Sequence, residues 1–222
     1  ASPTASPTED SVSAIEDPHV TNTRGEVFDV WYLGQVQFLR IPFEATPATA
    51  DFVLHATIRD VASDWKPNKC MSLYITEVTF AGRCFAKSVG VRVAKPGVAV
   101  AVIDGVRAEL GTQQTSVGNL SARPVFIKKP DESVLVNGKV FEATSAIEVD
   151  VGGAVFDVTA GKAHLNIHAR NLLLLGKRLG GLLGEDDHEP YSTIPSSCQN
   201  EERQKRMLVS RLVSGDQASY SS

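Results

Sequence analysis

The chain has 222 residues, with 22 Lys and Arg against 26 Asp and Glu, a formal net charge of −4. That length suits one large domain or two small ones and is enough to bury a core without cross-links. The acidic balance argues against nucleic acid, and no apolar run is long enough to cross a bilayer.

The chain opens ASPTASPTED, without an initiator methionine, the pattern of a processed product or of a piece of something longer. Residues 1 to 16 are rich in Ser, Thr, Pro and acid, and read as a flexible stalk. Strand signals then follow one another. VFDVWYL and QVQFLRI stand on either side of Gly34. DFVLHATIRDV alternates, with Phe52, Leu54, Ala56 and Ile58 on one face. MSLYITEVTF is mixed: Met71, Leu73 and Ile75 share one face, while Tyr74, Val78 and Phe80 share the other.

Nine short strand-like runs come next, from SVGVRVA to KAHLNIHA, punctuated by Lys95-Pro96-Gly97, Asp104-Gly105, Asn137-Gly138 and Gly152-Gly153. Asn-Gly and Asp-Gly are hairpin turns because both positions tolerate positive φ. About a dozen mostly antiparallel strands at near-regular spacing predict an all-β sandwich or open barrel. The best helix candidate is QNEERQKRMLVSRLV, residues 199 to 213, with Leu208, Val209, Leu212 and Val213 on one side and Gly215 to end it. It serves either to dock a partner or to cover the domain's own sheet. The expected organisation is a stalk over 1–16, a β domain over 17–198, and a helix and polar tail over 199–222.

Three cysteines, Cys70, Cys84 and Cys198, leave at least one thiol without an intramolecular partner. Asn119-Leu120-Ser121 is an N-glycosylation sequon. His164, Asn166 and His168 share one face of a strand. At i and i+4 the two histidines lie about 13 Å apart, too far to chelate one zinc, so a polar outer face is expected. His188 reads as a surface residue or a member of a metal site. No nucleophile elbow, HExxH, P-loop or dinucleotide fingerprint is present.

Several pieces in order resemble the von Willebrand factor type D domain. They are Asp17-Pro18-His19, Gly25, Phe28-Asp29, the Asp104-Gly105 turn, the strand HLNIHA, and the closing Gly181-Leu182-Leu183-Gly184 with its acidic loop. The resemblance covers residues 17 to about 190, and GGLLGEDDH is most similar to a cysteine-poor branch found in algal protists. The family closes with CGLCGN, and both of those cysteines are replaced here. Cys70 matches a family cysteine whose usual partner position is Leu183. The resemblance therefore implies that Cys198 takes over, giving Cys70–Cys198 with Cys84 free; Cys70–Cys84 is the rival. A loop that long contributes about 4–5 kcal/mol in the chain-entropy model. The self-cleaving GDPH of some relatives has Glu16 in place of glycine, which argues against cleavage.

The family's calcium ligands come from the closing loop and an aspartate before the opening glycine, where this chain has Arg24. Three readings follow. Arg24 supplies calcium's charge to Glu185, Asp186 and Asp187; or a weak calcium site survives on Asp17, Glu185 and Asp187; or the loop is solvated acid. No other cofactor is expected.

The resemblance implies a non-catalytic structural or adhesive module that binds proteins, its own copies or a larger complex, in a secreted, cell-surface or lumenal setting. One alternative is a soluble accessory subunit docked on a larger membrane complex. A second is a hydrolase that uses the acidic loop 185–187.

Overall fold

The structure, a computed structural model, describes residues 11–15, 18–60, 73–136 and 138–194. In chain order the strands are β1 (Ser11–Ile15), β2 (His19–Thr21), β3 (Val27–Asp29), β4 (Gly34–Ile41), β5 (Phe52–Asp60), β6 (Leu73–Ala81), β7 (Val89–Lys95) and β8 (Val98–Ile103). They continue as β9 (Val106–Ala108), β10 (Thr115–Leu120), β11 (Arg123–Lys128), β12 (Val134–Val136), β13 (Lys139–Phe141), β14 (Ala146–Val151), β15 (Ala154–Ala160) and β16 (Leu165–Arg170). Among the described residues, helix is confined to 3-10 turns at Ala143–Ser145 and Leu172–Leu175 and to α1 (Glu189–Ser192). The helix expected at 199–213 lies outside the described residues. No described helix is long and apolar enough to cross a membrane.

The strands form a β-sandwich. One sheet has eight strands in the order β10-β11-β14-β15-β16-β1-β2-β3, and the other has six in the order β4-β5-β6-β7-β8-β9. Among the described residues, β12 and β13 pair only with each other. Every pairing is antiparallel, which short hairpin connections allow and parallel pairing does not. Asp104-Gly105 and Gly152-Gly153 do turn β8 into β9 and β14 into β15, with positive φ at all four residues. The inner faces meet through Phe52 of β5, Phe80 of β6 and Phe156 of β15, whose ring centroids lie 5.2 to 6.3 Å apart.

Two local patterns differ from the expectation. Ser11–Ile15, placed in the stalk by composition, is a core strand. It pairs with both β16 and β2, and Val12 and Ala14 are buried. Its apolar alternation is too short to stand out beside the flanking Ser, Thr and Pro, and its partner strand comes from the far end of the chain. In β6, Ile75 packs on the same side as Val78 and Phe80. A register shift between Thr57 and Ile58 of β5 sets an extra residue, Thr76, opposite the pair and flips the phase of the pleat. A similar shift at Phe38 lets Val36, Phe38, Leu39 and Ile41 all face the core.

Candidate functional site

The closing segment completes the sandwich. β4 is an edge strand whose outer N–H and C=O groups need partners. Residues 180–183 supply them: Arg40 and Gly180 exchange N–H···O bonds of 2.9 Å, and Leu183 N–H donates to Phe38 O at 2.8 Å. From the other sheet, Thr23 N–H donates to Leu183 O at 3.0 Å. One short segment thus ties the β2–β3 turn of one sheet to the edge of the other, with Leu182 and Leu183 buried. Gly181 has φ +91°, and a Cβ there would stand 2.6 Å from Phe38 O, so the close approach needs glycine.

The acidic residues after this staple each have a partner. Arg178 forks onto Glu185 Oε2 at 3.1 and 2.6 Å, and Arg40 reaches Asp186 at 3.1 Å while also donating to Phe43 O. Asp187 Oδ1 accepts the Glu189 N–H at 2.9 Å, at the start of α1. Arg24 does not join them. Its Nε and Nη2 donate to Glu26 Oε2 at 3.0 and 2.7 Å. The cause is local: buried Asn22 accepts N–H bonds from both Arg24 and Glu26 and donates its amide to Glu26, drawing the turn into a tight loop that keeps Arg24 on its own hairpin. Arginines do hold the loop, but they are Arg40 and Arg178. The Asn22 amide first, then Arg24, hold the Glu26 carboxyl below the usual carboxylate range. His188 stacks on Phe28 at 4.0 Å, with Nδ1 3.7 Å from Glu26.

Donors already occupy two of the candidate calcium ligands: Glu185 carries a guanidinium and Asp187 accepts a backbone N–H. Among the described residues no three His, Cys, Asp or Glu side chains converge to hold a metal. Asp17, Cys70 and Cys198 lie outside the described residues. Cys84 is a free thiol, and burial pushes its pKa up to about 12. Asn119 is exposed on β10. His19, next in the motif, faces Asp29 across the β2–β3 hairpin and touches its carboxylate.

A second constellation lies on the outer face of the eight-stranded sheet. Lys128 of β11, Glu148 of β14, Asp157 of β15 and His168 of β16 are direct cross-strand partners in one row. Arg170 lies two residues from His168; its Nε is 3.2 Å from Asp157 Oδ2 and its Nη2 3.5 Å from Glu148. Asp157 is only 3% exposed, and Thr159 and Asn166 in the next row are buried too. The polar face expected around His164, Asn166 and His168 is therefore largely covered: His164 stacks on Tyr74 at 5.1 Å, and residues 130–135 overhang the Asp157 row. Between that overhang and the sheet runs a groove of about 500 Å³. Its floor is Glu148, Asp157, His168 and Arg170, and its wall includes Asp131, Glu132 and Leu135. At its rim stands the β12–β13 hairpin, where Leu135 and Val140 are cross-strand partners and are 64% and 70% exposed.

The sequence held a signal for this row. A two-residue turn at Gly152-Gly153 fixes Glu148 opposite Asp157, and Asp157 is the lone acid of its strand, among β-branched and aromatic neighbours. The groove itself depends on the overhang, which no local pattern specifies.

No protein-family model matches the chain, and no curated protein matches it.

Proposed function

We propose that this chain is a non-catalytic structural or adhesive module that binds proteins through the β12–β13 hairpin and the groove beside it. The observation that carries the reading is the exposed pair Leu135 and Val140, opposed on a hairpin that joins neither sheet. A lone two-stranded hairpin is marginal in water, and large apolar side chains set beside charge are the composition of a protein interface.

The type D resemblance belongs to the same proposal. What supports it is that the stretches quoted as its opening and closing motifs meet at the Thr23–Leu183 hydrogen bond. A secreted, surface or lumenal setting goes with it, and the exposed Asn119 is accessible to glycosylation there. A hydrolase built on the acidic loop has less support, because Glu185 and Asp187 are held by Arg178 and a backbone N–H rather than facing a cleft.

The test is sedimentation and native mass spectrometry across a wide concentration range, with and without reductant. The wild type is expected to associate with itself, and Leu135→Glu/Val140→Lys to remain monomeric. A wild type that stays monomeric throughout rules out self-assembly and favours the docked accessory subunit. Association unchanged in the double variant removes the hairpin as the interface.

A further inference from the structure

An exposed apolar patch lies where the described chain ends. Residues 31–33 cross from β3 of one sheet to β4 of the other. Trp31 is half-buried there, and Tyr32 and Leu33 are 42% and 59% exposed. The crossing is tied to α1: Trp31 N–H donates to Tyr191 O at 2.6 Å, and the Tyr32 and Tyr191 rings meet edge to face at 5.3 Å. Tryptophan and tyrosine set beside aliphatic surface are the side chains that dominate interfaces. The last described residue is Ile194, three positions after Tyr191, so the chain leaves the fold beside this patch.

Residues 195–222 lie outside the described residues. In sequence, 199–213 carry the apolar stripe Leu208, Val209, Leu212 and Val213. A helix of about 15 residues is marginal alone in water and is stabilised by burying such a face. Stripe and patch each lack a cover.

Reach and charge point each to the other. Residues 195–198 extend over at most about 14 Å. In helical geometry Leu208 stands about 14 Å from position 199. A segment that turns back at 195–198 therefore returns its stripe to the point of departure. So short a tether holds the stripe against the patch at an effective concentration of about millimolar. Residues 199–213 also hold Arg203, Lys205, Arg206 and Arg211 against Glu201 and Glu202. At the exit, Asp187 and Glu189 are exposed, and neither has an ion-pair partner among the described residues. Opposite charge on the two surfaces favours their approach and sets its direction.

We propose that residues 199–213 fold back on their own domain and lay Leu208, Val209, Leu212 and Val213 over Trp31, Tyr32 and Leu33, with the basic side chains toward Asp187 and Glu189. The segment is an internal strap across the crossing that joins the two sheets. It goes beyond the hairpin reading and does not rest on it.

The test uses the full chain with labelled methyl groups. Nuclear Overhauser contacts are expected from the Leu208 and Leu212 methyls to the rings of Trp31 and Tyr32 and to Leu33. Leu33→Asp, an exposed site, should abolish them. A second readout is acrylamide quenching of Trp31 in a Trp65→Phe chain, where Trp31 is the one tryptophan left. Leu208→Asp/Leu212→Asp should raise that quenching, and adding Leu33→Asp should raise it no further, because both changes remove one interaction. Contacts to a different surface, no contacts, or quenching unchanged by the tail variant would overturn the strap. So would contacts seen only between differently labelled copies in a mixed sample, which would place the segment on a second chain. Leu135→Glu/Val140→Lys should leave the contacts intact, so this inference and the module reading fail separately.

Discussion

The closing segment and the groove use the same ingredients, carboxylates beside arginines, to opposite ends. In the closing segment each of the two ion-paired acids has its own guanidinium at short range: Glu185 has Arg178, which stands farther from Glu44, at 3.9 Å, and Asp186 has Arg40. In the groove, two cations are shared among three acids at 3.2 to 3.7 Å, Lys128 between Asp131 and Glu148 and Arg170 between Glu148 and Asp157. The first is balanced because backbone bonds to β4 have already fixed the segment, and its charges only secure the rim. The second is unbalanced on a face whose register the strands impose. Charge paired one to one secures a structural joint, whereas charge shared along a sheet face follows the register of the strands.

Substitutions sharpen the contrast, beginning at the staple. Gly181→Ala forces a left-handed φ on alanine and drives its Cβ to 2.6 Å from Phe38 O. It should cost about 2–4 kcal/mol by chemical denaturation. A loss below about 1 kcal/mol would mean that the closing segment is not holding β4.

Next come the two arginines that contend for the acidic loop. Arg40→Ala removes a largely buried guanidinium from Asp186 and Phe43 O and should cost about 1.5–3 kcal/mol. Arg24→Ala removes an exposed pair with Glu26 and should cost at most about 1 kcal/mol. The reverse order would make the opening loop the anchor.

Smaller still is the effect of acid on Glu26. Its folded pKa is depressed, chiefly by the Asn22 amide, so its stabilisation is fully present above the unfolded pKa and fades as pH falls through the folded one. Asn22→Ala should raise the Glu26 titration midpoint seen by carboxyl NMR. An unmoved midpoint would assign the depression to Arg24 instead.

The smallest expected effect is none. Calcium or a chelator should leave the melting temperature unchanged, because arginine and backbone donors occupy Glu185 and Asp187. A large calcium-dependent rise would overturn the balanced-joint account of the closing loop.

Much of the fold was legible. Period-2 alternation in Phe52–Asp60 and glycine turns at 104–105 and 152–153 are local properties, because pleat and positive φ are decided by a few neighbouring residues. β1 was not legible, since five residues form a strand only when β16 and β2 lie on either side. The phase flip in β6 depends on one extra residue opposite β5, and composition does not encode an insertion relative to a partner. At the candidate site, the sequence singled out the closing loop, and an arginine holding it was one of three readings left open. Choosing Arg24 followed from its position in a motif, whereas Arg40 comes from a strand 146 residues away and Arg24 is drawn off by Asn22.

By itself, then, the sequence determined an antiparallel β architecture and its hairpin turns, because each follows from short-range pattern and composition. Only the tertiary structure decided which arginine meets which acid, that the closing glycines serve the edge of β4, and that Asp157 lies under an overhang beside an exposed apolar hairpin. Those are distances between segments far apart in the chain, fixed by register and packing rather than by any local preference.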